Sequence, residues 1–231
     1  MPVARLLLVR HGQASFGADD YDALSPLGHE QARTLGKSLS DRGVRPALLV
    51  RGALRRHAET AAGILDGLAM SVDVAIDPGW DEFDFQHVVE IHRPLFRDRA
   101  AMAAELAREA RPDRAFQEIF EAATTRWASG DHDPEYGESF PAFQSRVAGA
   151  LASAEALLRA HREVLVVSSG GPIAMVATLL TTGSVAGWAA FNRVSVNTGV
   201  TKVIAGSRGL SLSTFNEHPH LEADRRLLTY R

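Results

Sequence analysis

The chain has 231 residues, 45% of them apolar, enough for one large domain or two small ones with a substantial core. Its formal net charge of -3 offers no overall attraction to nucleic acid or to an anionic membrane, so any anion binding must come from a local cluster. The absence of cysteine excludes disulfides, thiol catalysis and thiolate metal sites.

The N-terminal "MPVARLLLVRHG" has too short an apolar stretch for a signal peptide, and no run reaches membrane-spanning length, so a soluble cytoplasmic protein is expected. Residues 5 to 10 read as a short buried strand that stops on Arg10, His11 and Gly12. The helix "SPLGHEQARTLGKSLSDRG" follows, with Ser25 as N-cap, Pro26 at N1 and Gly43 as terminator. A strand is expected at 46 to 50, a helix over 54 to 68, and a strand in "SVDVAID" closed by Pro78-Gly79. From His87 to His161 the pattern is mostly helical, broken near Pro112 and at "SGDHDPEYG"; Phe96, Phe116, Phe120 and Trp127 read as packing residues. "EVLVVSS" is a second clear buried strand, followed by a helix from Pro172 and two strands, "TGVTKVIA" and "LSLSTFN", joined by "GSRG". Strands alternating with helices predict an α/β fold: a three-layer αβα sandwich on a mostly parallel sheet with an antiparallel edge. Residues 1–231 are expected to form a single domain, with 87–135 as a helical insertion or cap near the active edge.

Ligands of open α/β sheets sit beyond the carboxyl ends of the strands, where Arg10 and His11 fall. Arginine offers a donor fork matched to phosphate or carboxylate, and a histidine beside it can be nucleophile, general base or anion donor. Taken alone, the triplet reads equally well as a capped strand with a partly buried Arg–carboxylate pair. A second cationic strand end, "RGALRRHAETA", places Arg51, Arg55, Arg56 and His57 at the opening of a helix, which itself favours anions. Each of these arginines alone reads as solvated; two such strand ends together read as an oxyanion site. "GWDEFDF" adds acids after a third strand, one of which can serve as a proton donor if it is desolvated.

"LVRHGQ", "SPLGHEQARTLG", "RHAETA", "GWDEFDF", "YGESFPAFQSRV" and "VVSSGGPIA", in that order, resemble the histidine phosphatase superfamily in its phosphoglycerate-mutase-like branch. The resemblance spans almost the whole chain. It implies that His11 attacks phosphate and becomes a phosphohistidine, that Arg10 and Arg56 clamp the phosphate, and that Glu82 protonates the leaving oxygen. Asp81 and Asp84 are alternatives for that acid. The "GES" of 137 to 139 and Arg146 also match family positions, with no chemistry assigned.

Two departures stand out. The family's second histidine, in a Ser-His-Gly-Gly run, is Ser169 here, followed by Gly170 and Gly171. Ser169 and Gly170 are expected to bind phosphate, either in a site weakened by the lost charge or in one rebuilt around serine. His87 or His92 is a possible replacement donor, and the remaining histidines read as surface or packing residues. The mutases' phosphate-gripping asparagine is Gly17, which weighs against mutase activity. The resemblance therefore implies a metal-independent phosphomonoesterase working on a small phosphorylated metabolite through phosphohistidine, with no cofactor, nucleic-acid or membrane partner. A non-catalytic phosphate-binding or regulatory relative is the alternative, and a mutase a weaker one. No HExxH pattern or spaced carboxylate cluster argues for a metal.

Overall fold

Leu6 to Val9 are almost wholly shielded from solvent and form the middle of β1 (Ala4–Arg10) in the computed structural model, which describes residues 4–15 and 22–230. The Gly17 reading lies outside the described residues. Ser25 caps α1 (Pro26–Asp41): its Oγ accepts from Gly28 N at 3.0 Å, and Gly43, at φ +69°, turns the chain after the helix. A cap of this kind contributes about 1 kcal/mol. Then come β2 (Leu48–Arg51), α2 (Arg55–Leu68) and β3 (Asp73–Ile76), whose side chains are all exposed, as befits an edge strand.

Helices α3 (Phe85–His92), α4 (Arg99–Leu106), α5 (Pro112–Ala128) and α6 (Phe140–Leu157) follow. The chain continues through β4 (Glu163–Ser168), α7 (Gly170–Thr182), α8 (Trp188–Arg193), β5 (Val200–Gly206) and β6 (Gly209–Glu217). The sheet runs β3-β2-β4-β1-β5-β6; β1 to β4 are mutually parallel where they pair, and β5 is antiparallel to both β1 and β6. Leu7 and Val9 of β1, Leu49 of β2, and Leu165 and Val167 of β4 pack on one face against Leu35, Leu39, Ile64 and Leu68 of α1 and α2. The alternate residues Leu6, Leu8, Val164 and Val166 are equally buried, and α7 lies against β1. This period-two alternation with both faces covered is the expected three-layer α/β arrangement.

The chain divides into two compact units, Met1–Glu82 with Val147–Arg231, and Phe83–Arg146. The stretch read as an insertion, 87 to 135, falls inside the second. That unit has its own aromatic core around Trp127, which stacks on Phe83 at 4.6 Å and meets Phe140 at 5.0 Å between ring centroids. Trp127 and Phe96 are buried, in keeping with a packing role. No helix among the described residues is long and apolar enough to cross a membrane.

Three features differ from the sequence reading. Helix α7 starts at Gly170 rather than Pro172, because Ser169 takes the extended N-cap conformation and the two glycines form the first turn. The short helix α8 has too few residues to show a period. The C-terminal segment, to which no element was assigned, forms single 3-10 turns at Pro219–Leu221 and Arg225–Leu227, with Leu221 and Leu227 buried against Val196.

Candidate active site

The register of β1 on β4 pairs Arg10 with Ser168, so the next residues, His11 and Ser169, leave the sheet side by side. This sits where the strand order reverses, the place at which open α/β sheets bind ligands. His11 N donates to Ser168 O at 2.8 Å, while Asn197 Nδ2 donates to His11 O at 3.0 Å and Thr198 N to Arg10 O at 3.0 Å. Thr198 sits at φ +58°, a strained setting for a β-branched residue, next to the chain end that frames His11.

The His11 side chain is buried, and its Nδ1 lies 2.7 Å from Gly12 O. A carbonyl oxygen only accepts, so Nδ1 carries the hydrogen and Nε2 keeps its lone pair. Burial, then the charges of Arg56 and Arg10 and the His57 ring, push the His11 pKa well below the ordinary imidazole value, against a small opposite pull from Gly12 O. His11 is therefore a neutral imidazole at neutral pH. A glycine at a strand end can let a ligand approach the backbone. A Cβ at Gly12 would lie 2.5 Å from Gly28 O, so what approaches is the first turn of α1.

Arg10 Nη1 donates to Ser195 O and, at 3.0 Å, to Tyr230 O, so the C-terminal segment helps aim this guanidinium. A Cβ at Gly170 would lie 3.6 Å from Arg10 Nε and 2.8 Å from Asn192 Oδ1, so the missing side chain leaves the guanidinium room at the start of α7. Arg56, in the first turn of α2, is 8% exposed and donates from Nη1 to Asp22 Oδ1 at 2.7 Å. Thr60 Oγ1 accepts from Gly12 N at 3.0 Å and donates to Arg56 O at 2.7 Å, tying this helix turn to the end of β1. Arg55, exposed, turns outward to Glu59, while half-buried Arg51 donates from Nη1 to Gly52 O.

Glu82 Oε2 accepts from Gly171 N at 3.1 Å, placing this carboxyl at the opening of α7 beside Ser169. Asp81, the alternative acid, turns elsewhere: its Oδ1 accepts from Ala53 N at 2.7 Å and Leu54 N at 3.4 Å, before α2. Burial alone raises its pKa, but the His57 ring and those two N–H groups outweigh it and leave it below the ordinary carboxylate value. Asp84 caps α3 by accepting from His87 N at 3.0 Å.

The structure thus gathers Arg10, His11, Ser169, Gly170 and Glu82 at the neighbouring ends of β1 and β4, with Arg56 close enough to shift His11. It also places His57, which the sequence shows only as one member of the cationic opening of α2. His57 is fully buried, with its ring centroid 5.8 Å from that of His11 and its Nε2 2.8 Å from Ser169 Oγ. His87 and His92, the alternative donors considered from the sequence, belong to the second compact unit, where His87 Nε2 accepts from Gly137 N at 3.1 Å and His92 ends α3 exposed. The signal for His57 was its place on the apolar stripe of α2 with Ala61, Ile64 and Leu68, where a polar side chain must find a partner.

The sequence profile of the histidine phosphatase superfamily, branch 1, matches residues 6–126 and 107–218. The chain belongs to this superfamily. A curated relative, the 2,3-bisphosphoglycerate-dependent phosphoglycerate mutase of a Chelativorans species, is 33% identical over 87 residues, which are 35% of this chain and 42% of the mutase. The match therefore spans less than half the length of that relative. The alpha-ribazole phosphatase of Shigella flexneri superposes with a TM-score of 0.64 at 23% identity, covering 92% of this chain and 96% of that one. Phosphoserine phosphatase of Entamoeba histolytica, solved with 3-phosphoglyceric acid, gives 0.65 at 21% identity over 94% and 98%. Phosphoglycerate mutase of Bacillus anthracis gives 0.65 at 17% identity over 95% of each chain. At these identities the superpositions establish the fold, and the expected phosphatase class agrees with the family.

Proposed function

We propose that this member of the superfamily is a metal-independent phosphomonoesterase that hydrolyses a small phosphorylated metabolite through a phosphohistidine at His11. The observation that carries the reading is the Nδ1–H bond from His11 to Gly12 O, which leaves the Nε2 lone pair of a neutral ring among two guanidinium side chains. A monoester dianion held by Arg10 and Arg56 meets that lone pair. Nε2 forms the N–P bond as the ester P–O bond breaks, and the departing oxygen takes the proton of the Glu82 carboxylic acid. Water then attacks the phosphohistidine, gives its proton to the Glu82 carboxylate, and frees inorganic phosphate and His11. Two cationic forks and the first-turn N–H groups of α7 supply charge stabilisation without a metal. Asp22, now paired with Arg56, shares or yields that guanidinium when phosphate binds.

The test is a screen of phosphorylated metabolites, each assayed with and without a chelator. Turnover that survives chelation supports the reading; a strict need for added metal, or no hydrolysis of any ester, contradicts it. Glu82→Gln adds a sharper expectation. It should slow release of alkyl alcohols by roughly a hundredfold or more and of nitrophenol by far less, because only the poor leaving group needs the proton. Equal losses on both substrates would remove Glu82 from the acid role.

A further inference from the structure

The mechanism above leaves His57 without a task, yet its surroundings are built with care. Asp81 Oδ1, fixed by Ala53 N and Leu54 N, faces His57 Nδ1 at 3.6 Å, too far for a hydrogen bond but close enough to act by charge. On the other edge of the ring, Nε2 meets Ser169 Oγ at 2.8 Å. A Cβ at Gly52 would fall 2.2 Å from His57 Nδ1 and 2.4 Å from Asp81 Oδ1, so the pair exists only because residue 52 has no side chain. Ser169, fully buried, is the N-cap of α7 but makes no side-chain cap bond; its hydroxyl is committed to His57.

We propose that Asp81, His57 and Ser169 form a relay that takes up a proton when an oxyanion binds, with Ser169 Oγ touching the anion and His57 as the positioning residue behind it. The groups that face His57 are His11 from the end of β1, Arg56 from its own helix, Asp81 after β3 and Asp22 ahead of α1. Burial lowers the His57 pKa, Asp81 raises it and Arg56 lowers it, leaving the ring neutral. Nδ1–H then faces the Asp81 carboxylate and Nε2 accepts the Ser169 hydroxyl. A bound dianion reverses the balance. A proton released by the buffer adds to Nε2, the new N–H donates to Ser169 Oγ, and the serine turns its own hydrogen to an oxygen of the anion. The charged donor that the resemblance assigned to the residue at 169 is thereby supplied from α2, one hydroxyl removed.

The relay rests on the proposed oxyanion site, and sulfate separates the two because it stays a dianion across the working pH range. Calorimetric titration of sulfate in buffers of different ionisation enthalpy should show uptake of about one proton per sulfate at neutral pH. His57→Gln should abolish the uptake, weaken sulfate about tenfold and flatten its pH dependence. Ser169→Ala should weaken sulfate to a similar degree, and the double variant should be no worse than the weaker single one. Full uptake in His57→Gln, which would assign it to His11, or additive losses in the double variant would overturn the relay. Should His57→Gln fold poorly, Asp81→Asn keeps the ring in place. It should move the midpoint of proton uptake to lower pH, and an unmoved midpoint would count against the proposal. Sulfate-linked uptake without phosphatase turnover sinks the function proposed above and leaves the relay standing. Turnover with proton-neutral sulfate binding does the reverse, and absence of saturable sulfate binding overturns the relay.

Discussion

His11→Ala is expected to lower phosphatase turnover on the order of 10^4-fold or more, the scale seen when other nucleophilic enzymes lose the attacking group. The fold should survive, because the backbone of residue 11 is held by Ser168 O, Asn197 Nδ2 and Thr198 N rather than by the imidazole. The same residue sets a pH expectation. The neutral ring is the attacking form, and burial with Arg56, Arg10 and His57 lowers its proton affinity. The reactive form therefore persists as pH falls, and kcat/KM, corrected for ionisation of the substrate, should hold its plateau through the ordinary imidazole range and decline only well below it. A decline centred on the ordinary imidazole value would mean that His11 is not held as described.

Ser169→His should lower kcat/KM by about a hundredfold, although it restores the residue type that the family resemblance calls for at 169. Ser169 is fully buried, and its Oγ already lies 2.8 Å from the His57 ring. A second ring has nowhere to go without displacing the first, and overpacking of this kind costs about 1–3 kcal/mol in a core. Removing the obstruction should reverse the loss. In His57→Ala/Ser169→His the new ring can occupy the vacated space, and kcat/KM should recover to within about tenfold of the starting protein, as close contacts are strongly non-additive. Measured on an aryl phosphate, a gain in the single variant would show that the site had merely lost a histidine.

Much of this arrangement can be read in the chain before folding. The apolar runs at β1 and β4 end on the residues that matter, because a strand buried on both faces has no room for polar side chains until it leaves the sheet. Ser25, Pro26 and Gly43 mark α1 through local backbone chemistry alone. What escapes a linear reading depends on contacts between distant segments. That Gly12 yields to Gly28, and that Tyr230 O reaches Arg10, follow from how α1 and the C-terminal turns pack, which no local pattern encodes. His57 is the instructive miss. Beside Arg55 and Arg56 it looks like one more cation on a solvated helix face, and only its phase with Ala61 and Ile64 turns it inward. Its partners lie 24 and 112 positions along the chain, at Asp81 and Ser169.

The covalent intermediate is the most direct sign of His11 acting as the nucleophile. Rapid acid-free quenching of the protein with a 32P-labelled ester during turnover should trap phosphate on the chain in a linkage that is stable to alkali and lost in acid. Peptide mapping should place the label on His11, and His11→Ala should carry none. Turnover without any such label, or a label that survives acid and maps to Ser169, would contradict the assignment of His11 as the attacking group.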